Sequence, residues 1–494
     1  MKFGQSRPGE KRPMGSWGQW WIGLCVGASF LSLASCGGGG GAGSSSTPPY
    51  EFVYALSQTT SNNSGLINYY AINPGSGALY PSSEGSISTG GYSPVAMVAD
   101  PTGPFLYVLN GSTSNSITQG SLAGFRDASF TSQMASVGSS VQAGSSPLSM
   151  AIDPKGGYLV VASQSGFTVF SVSQGSVSPV GGTFKSTPCS SPFRVVFGAG
   201  AQGSLNDVVY LACSSPQTLY LASSMSNAIY ACSLKQVETN GCTSSYAIFT
   251  STGSNYTMTG FALDPTQTYL VAPVVENSSG AKSTYIVCSP TPSQTAPNLT
   301  CPSSTPSFSS SSYFLGGNMA FSGSGGTEKV FFGDYDPNSS GSAFSSSPEP
   351  FFACSLSSTT GVSSCLSQNS VPNSSAAYGF LASSTTLYMV ATRSPVNGAY
   401  YLGSSTSGVV SGQSPSGEIV SCPLPISTTS SPCKYVITAN SPVGITSDPN
   451  GDFIFVPTLS GTVDVYSANS LSNISSSSLN FSGQEILSVL VPGQ

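Results

Sequence analysis

The sequence predicts an all-β fold built of repeated four-stranded units, on three observations. First, a strand–turn–strand unit recurs: "SPVAMVADPTGPFLYVLN" from Ser93, "SPLSMAIDPKGGYLVVAS" from Ser146 and "SPVGITSDPNGDFIFVPT" from Ser441 are near-copies set far apart in the chain. Each is an apolar run, an Asp-Pro-x-Gly turn and a Tyr/Val/Leu-rich run. Second, charged residues make up only 6% of the chain against 39% hydrophobic and 10% aromatic residues, enough to bury a core and too apolar for disorder. Third, 494 residues exceed the size at which one simple core keeps growing, which calls for several domains or one repetitive architecture.

The turns justify the first two strands of each unit. Asp100, Asp153, Asp264 and Asp448 hold the same place in four copies, at separations of 53, 111 and 184 residues. These divide into one, two and three units of roughly 53 to 61 residues. Degenerate copies fill the gaps at Ser191 to Phe197, Asn318 to Phe321 and Ala376 to Leu381. A third strand follows in "INYYAINPGSGAL", "FTVFSVSQGSVSPV", "NAIYACSL", "TYIVCSP", "PFFACSLS", "EIVSCPLP" and "TVDVYSAN", with a weaker relative near Gly124. Each leads into a Gly/Ser turn and a fourth strand. Four antiparallel strands per unit, many times over, is the signature of a β-propeller. The segment "YEFVYALS" begins in the second-strand position, and "EILSVLVPG" from Glu485 can supply the missing innermost strand and close the ring. The count favours eight blades of about 56 residues each over seven of about 64.

Ahead of the propeller, taken as residues 50–494, residues 1–35 read as a bacterial lipoprotein signal peptide and residues 36–49 as a Gly/Ser/Pro tether. Lys2, Arg7, Lys11 and Arg12 form a basic start, Trp20 to Leu33 an apolar stretch, and Leu33-Ala34-Ser35-Cys36 resembles a lipobox. The Cys36 thiol would then carry the lipid that makes the membrane a partner. The alternatives are an ordinary secretory signal or a short membrane anchor, the latter against an apolar run too short to span a bilayer. Gly37 after the cysteine favours the outer membrane, on its periplasmic or surface face. Without residues 1–35, nine Lys and Arg face eighteen Asp and Glu, a charge of about −9. With no basic stripe for a phosphate backbone, nucleic acid is excluded as a partner.

Apart from Cys25 and Cys36, eight cysteines pair at one structural place: Cys232 with Cys242, Cys288 with Cys301, Cys354 with Cys365, and Cys422 with Cys433. In each pair the first lies in a third strand and the second just past the following turn, where facing hairpin positions come within disulfide reach. Cys189 and Cys213 flank an innermost strand and its partner and form a fifth candidate bridge. A zinc site is excluded by spacings that make no CxxC knuckles and by the absence of histidine. Disulfides fit an oxidising envelope compartment.

The lack of histidine also removes Ser-His-Asp and Cys-His catalysis, so any hydrolysis would run on carboxylates, Lys, Arg or Tyr. No cofactor motif is present. The four repeated aspartates read as turn openers, because Asp before Pro accepts backbone N–H bonds while Pro fixes φ. "GDYDPNSSG" places Asp334, Asp336 and Asn338 as a Ca²⁺ loop would, but Ser339 stands where Gly is wanted and the distal Glu is missing. A solvated loop is the simpler reading. Counting back from the Asp-Pro turn aligns Ala96, Ser149, Arg194, Gly260, Asn318, Gly379, Gly444 and Ser488 in one inner-ring column. Arg194 is its exception, a charged fork near a central channel. It either pairs with a carboxylate or bulk water, or acts with Asn318 and Ser149 on an anionic or hydroxyl-bearing ligand.

The units from Ser93 and Ser146, followed by "GFTVFSVSQGSVSPV", resemble the lactonase-type β-propeller family, which includes a 6-phosphogluconolactonase, and the related Tyr-Val-Thr-Asn surface repeats. The resemblance covers most of residues 50–494 and rests on strands and turns. It implies a seven-bladed fold, to which this chain would add a blade and disulfides. It also implies a catalytic set built on His and Arg, which a His-free chain cannot carry, and a phosphosugar substrate that does not fit an envelope address. The expected function is that of a binding or scaffold protein with a protein or carbohydrate ligand. The alternative is a carboxylate-based hydrolase of sugar-type lactones.

Overall fold

A computed structural model describes residues 51–492 apart from intervening stretches, the longest being 181–191, 199–207, 214–227, 234–243, 301–314, 335–349 and 393–416. Over Pro192–Ala247 it describes the strands almost entirely as backbone. The strands form seven sheets among the described residues, and every paired neighbour is antiparallel. Strands β1 (Glu51–Thr59), β2 (Ser64–Ile72), β3 (Leu79–Ala99), β4 (Phe105–Ser112), β5 (Gln119–Arg126) and β6 (Ala135–Ser145) run in that order through one sheet. The next holds β7 (Pro147–Ile152), β8 (Tyr158–Ser163), β9 (Gly166–Ser173) and β10 (Ser176–Pro179). A third holds β11 (Pro192–Gly198), β12 (Val208–Cys213), β13 (Ala228–Ser233) and β14 (Ser244–Ala247). In the fourth, β15 (Tyr256–Met258) and β16 (Ala262–Leu263) both pair β17 (Leu270–Glu276), followed by β18 (Ser283–Thr291) and β19 (Asn298–Thr300).

Three more four-stranded sheets complete the chain. They are β20 (Leu315–Ser322) to β23 (Gly361–Ser370) through β21 (Lys329–Asp334) and β22 (Pro350–Ser357); β24 (Ala376–Ala382), β25 (Thr386–Thr392), β26 (Gly417–Pro423) and β27 (Lys434–Thr438); and β28 (Thr446–Ser447), β29 (Phe453–Pro457), β30 (Thr462–Ser467) and β31 (Leu479–Asn480). The last strand, β32 (Gln484–Leu490), pairs β1, so the first sheet takes its edge strand from the far end of the chain. The sequence predicts the outer strand of one unit and the inner strand of the next as separate. Instead β3 runs through both, pairing β2 up to Tyr92 and β4 from Tyr92 onward. Gly90 (φ 75°) and Ser93 (φ 47°) turn the chain at the crossover.

The core lies between sheets. β4, β8 and β29 are buried along nearly their whole length, on both faces, which is why they read as unbroken apolar runs and not as alternation. Tyr54, Tyr69 and Leu56 pack against Leu106, Val108 and Phe125. Tyr107 and Leu109 pack against Leu159, Val161 and Phe170. Further along, Tyr285 and Val271 meet Phe332 and Leu356, Phe331 meets Leu387 and Met389, and Tyr388 and Val390 meet Ile454 and Val456. Val53, Tyr70 and Ile72 then pack on Phe455 and Val465, joining the last sheet to the first. Each large side chain so buried contributes about 1.5–3 kcal/mol.

Turns lock neighbouring sheets together. Gly175, at φ 80° in the β9–β10 turn, lies so close to Phe105 of the preceding sheet that a Cβ would sit 2.5 Å from the ring. Gly77, at φ 68° in the β2–β3 turn, meets Phe453 in the same way. The join of β32 is polar as well as hydrogen-bonded along the ladder. Ser57 donates to Gln484 Oε1 at 2.6 Å, and Asn68 Nδ2 donates to both Ser57 Oγ and Gln484 Oε1 at 2.8 and 2.9 Å. Gln58 Nε2 donates to Glu485 Oε2 at 3.0 Å.

At the same join, burial and then the charges of Asp448 and Asp452 push the Glu51 carboxyl above its usual 4.5. A raised carboxyl takes up a proton on folding, so its ionised form weakens the fold as pH rises through the raised value. The Glu51→Gln protein should unfold at higher urea than the parent at pH 7. The two midpoints should converge as pH is lowered below 4.5, which a pH series of urea transitions measures.

Candidate functional site

The repeated aspartates are structural. Asp153 is 1% exposed, and its carboxylate accepts backbone N–H bonds from Lys155, from Gly157 at 2.9 Å and from Tyr158 at 2.8 Å. Asp448 accepts from Phe453 N at 2.7 Å and Asp264 from Tyr269 N. Asp100, less buried, accepts from Thr102 N at 2.9 Å and from the Tyr107 hydroxyl at 3.1 Å. Burial first, and then the Asp100 charge, push the Tyr107 phenol above its ordinary value. These turns join the innermost strand of a unit to its second strand at one end of the sheet.

The opposite end of the innermost strands carries a recurrent irregularity that the sequence does not announce. The pairing register shifts between Pro94 and Ala96, between Pro147 and Ser149, between Pro192 and Arg194, and between Ala377 and Gly379. In β32 the register passes from Ser57↔Ile486 to Leu56↔Ser488, leaving Leu487 as the extra residue. In β20 the shift falls between Leu315 and Met319. A β-bulge bends its strand and re-aims side chains. Ala96, Ser149, Arg194, Gly379 and Ser488 of the aligned inner-ring column are therefore the positions directly after a bulge. Facing the bulges, near the ends of the second strands, Ser57, Asn110 and Ser163 are polar and fully buried, as is Thr458, just past β29 and opposite Pro442. There Thr89 Oγ1 donates to Asn110 Oδ1 at 2.7 Å, and the Thr458 and Thr462 hydroxyls meet at 2.6 Å.

Beside these bulges the innermost strands line a cavity of about 370 Å³ that is open to solvent. Its walls come from five successive sheets: Ala262 of β16, Met319 of β20, Gly379 and Phe380 of β24, residues 443–446 leading into β28, and residues 487–489 of β32, with Pro457 beside them. Thr446 and Ser488 supply hydroxyls, and none of the described lining residues is ionisable. Met319, Phe380, Ile445, Leu487 and Val489 are half-buried apolar side chains.

Of the column predicted from the sequence, Gly379, Gly444 and Ser488 line this cavity. Ser149, half-buried on β7 and opposite Ala162, is not among its lining residues. Arg194 lies on β11 opposite Ala212 and Asn318 lies in the irregular part of β20, and both side chains fall outside the described residues, as does Gly260. Asp334 ends β21, while Asp336 and Asn338 fall outside the described residues. Among the described residues no group of three or more His, Cys, Asp or Glu side chains is placed to hold a metal.

Cys422 and Cys433 form a disulfide with Cα atoms 4.3 Å apart. Cys288 and Cys354 are also disulfide-bonded, and Cys354 stands opposite Cys365 in the ladder. Cys213 pairs Pro192 across β11 and β12, and Cys232 lies on β13. Cys36, Cys189, Cys242 and Cys301 fall outside the described residues.

Antiparallel sheets packed face to face, with innermost strands converging on a cavity, define a β-propeller. Residues 53–192, from β1 to the start of β11, match the family model "Lactonase, 7-bladed beta-propeller". No curated protein matches the sequence. Among solved structures, AztD from Citrobacter koseri is similar at 9% identity and TM-score 0.49, covering 89% of this chain and 97% of its own. Saccharomyces cerevisiae Sqt1 is similar at 11% identity and TM-score 0.49, covering 80% and 87%. The Kuenenia stuttgartiensis hydrazine synthase is similar at 14% identity and TM-score 0.44, covering 77% and 96%.

Replacing Asp153 by Ala would strand several buried backbone N–H groups and should destabilise the fold by about 2–3 kcal/mol. Asp100→Ala, at a more exposed turn, should cost about 1 kcal/mol. Urea denaturation followed by near-UV circular dichroism measures both.

Proposed function

We propose that this chain is an eight-bladed β-propeller, tethered to the bacterial envelope by a lipid on Cys36, that binds a small ligand in its central cavity. The observation that carries the binding reading is the cavity itself: innermost strands of five sheets leave about 370 Å³ open, with the Thr446 and Ser488 hydroxyls in its walls.

The blade count is supported by dividing the first sheet at β3. The half holding β32, β1, β2 and the start of β3 is one four-stranded blade, and the rest of β3 with β4, β5 and β6 is the next. With β15 and β16 sharing the inner place of their sheet, the total reaches eight, one more than the family description, and β32 closes the ring. The lipid, the outer-membrane address and the remaining disulfides, Cys189 with Cys213, Cys232 with Cys242, Cys288 with Cys301 and Cys354 with Cys365, rest on the sequence pattern and on one another. An oxidising compartment serves both the signal segment and the bridges.

One observation favours a second reading, lactone hydrolysis: the family match over residues 53–192. It would need carboxylates, Lys, Arg or Tyr to do the work of a histidine. A panel of sugar-type lactones separates the two readings. Binding without turnover supports the binder, while turnover that falls in Arg194→Ala supports the hydrolase. If Arg194 with Asn318 and Ser149 contacts an anionic or hydroxyl-bearing ligand, Arg194→Ala should weaken that ligand about tenfold or more at unchanged stability, read by calorimetry. Cys36→Ser should abolish incorporation of a labelled fatty acid and move the protein from the membrane to the soluble fraction.

A further inference from the structure

Pro457 stands where a sheet rarely tolerates proline. Its strand, β29, is a central one: Pro457 pairs Val463 of β30 on one side, and on the other its carbonyl accepts from Val443 N at 2.8 Å. A proline there gives the ladder no N–H, and prolines within sheets are confined to edge strands and bulges. Against four other inner strands the residue at this place carries an N–H and pairs the column residue: Leu109 with Ala96, Ala162 with Ser149, Ala212 with Arg194 and Val390 with Gly379. Opposite Pro457 the ladder breaks between the Pro442–Thr458 bridge and the Thr446–Phe455 pair.

The break falls at Gly444 and Ile445. Main-chain groups of an antiparallel strand face its neighbour at every second residue. Asp448 N bonds Phe453 O, and Thr446 pairs Phe455. The Gly444 carbonyl therefore faces β29 where Pro457 offers no donor, and Ile445 carries its N–H and C=O on the free inner edge. No hydrogen bond joins the main chain of either residue to another described residue. Packing does not account for the glycine. A Cβ on Gly379 would lie 2.5 Å from Val390 Cγ2, but a Cβ on Gly444 would meet only Pro457 Cγ at 3.8 Å, and its φ is not in the left-handed region. Pro457 withholds the donor, Gly444 withholds a covering side chain, and both line the cavity. Among the described lining residues only Thr446 and Ser488 carry a hydroxyl, amide or charge on the side chain, so the polar surface there is largely main chain.

We propose that the main chain at Gly444 and Ile445 is a recognition element, holding a small molecule that donates hydrogen bonds from hydroxyl or amino groups to the freed Gly444 carbonyl. The inference rests on the ligand-site reading given above. A carbonyl without its ladder partner is an obligatory acceptor still to be satisfied, and a ligand donor that reaches it takes the place of water. The Thr446 and Ser488 hydroxyls stand in the same walls for neighbouring groups of the ligand.

Pro457→Ala tests this, because it returns an N–H to β29 where other second strands have Leu109, Ala162 and Val390. The restored donor should occupy the Gly444 carbonyl, leave the urea midpoint unchanged or raised, and weaken ligand binding about tenfold. Pro457→Val serves if the first variant fails to fold. Calorimetry on the purified full chain would use neutral sugars and alditols, amino sugars, and the O-permethylated counterparts of the sugars. Neutral sugars and amino sugars distinguish hydroxyl from amino donors, and the permethylated compounds, which have no donors, should not bind. Equal binding of a sugar and its permethylated form, or binding undiminished in both Pro457 variants, overturns the proposal. Gly444→Leu, which fills the cavity, tells the two readings apart: a ligand lost there and retained in the Pro457 variants leaves the cavity as the ligand site and removes the main-chain element. If nothing in the panel binds, or binding ignores Gly444→Leu, both readings fall.

Discussion

Everything in this fold depends on sheets that have no free face. A strand such as Tyr158–Ser163 is buried on both sides because its sheet packs between two others, and a sheet with two apolar faces must find two neighbours. Repeating that requirement sheet after sheet arranges the blades around an axis, where inner strands converge and side chains must be small. The hydrophobic demand thus sets which sheets are neighbours and where their innermost strands meet. Where the first and last strands meet, the buried polar groups partner one another, as Ser57, Asn68 and Gln484 do.

The two ends of the innermost strands do different work. At one end Asp153 and its equivalents gather the N–H groups of a tight turn, and the neighbouring turns interlock: a Cβ on Gly156 would collide with Asp100 and Thr102 of the sheet before. That end is rigid and self-satisfied. At the other end the bulges break the ladder, push an additional residue such as Leu148 or Leu487 out of register, and open the inner surface. The same strand is stiff where it turns and adaptable where it bulges, a division suited to holding a binding surface on a fixed frame.

Local features were the legible ones. Asp-Pro-x-Gly announces its turn because the hydrogen bonds that make it lie within five residues, and the roles of Asp100, Asp153, Asp264 and Asp448 followed from that alone. The hairpin spacing of Cys422 and Cys433 was legible for the same reason. The inner-ring column could be aligned because Ala96, Ser149, Gly260 and Gly444 each sit four residues before an aspartate and the degenerate copies align the rest; of that column Gly379, Gly444 and Ser488 line the cavity. The bulges could not be read, since register belongs to two strands at once and Ser-Pro before the column looks like any strand start. Nor could Met319, Ile445 or Leu487 be separated from core residues, because an apolar side chain on an inner strand has the same sequence signature whether it meets a neighbour or a cavity. The continuous run of β3 through two units was hidden by Gly90 and Ser93, which read as breaks and act as bends.

The bond from Ser57 to Gln484 joins residues 427 positions apart. In kinetic terms it closes nearly the longest loop the chain can make, an entropic cost that rises only with the logarithm of length but cannot be met until the last strand is available. A chain synthesised from its N-terminus must therefore keep its first sheet short of an edge strand, with the outer N–H and C=O groups of β1 unpaired, until the residues of β32 arrive. An open strand edge invites pairing with other chains, so the period between emergence and closure is when this protein is most exposed to misassembly. Its first and last strands, remote in sequence and paired in the fold, make the propeller a natural candidate for circular permutation, with β32 moved to the front to shorten that period.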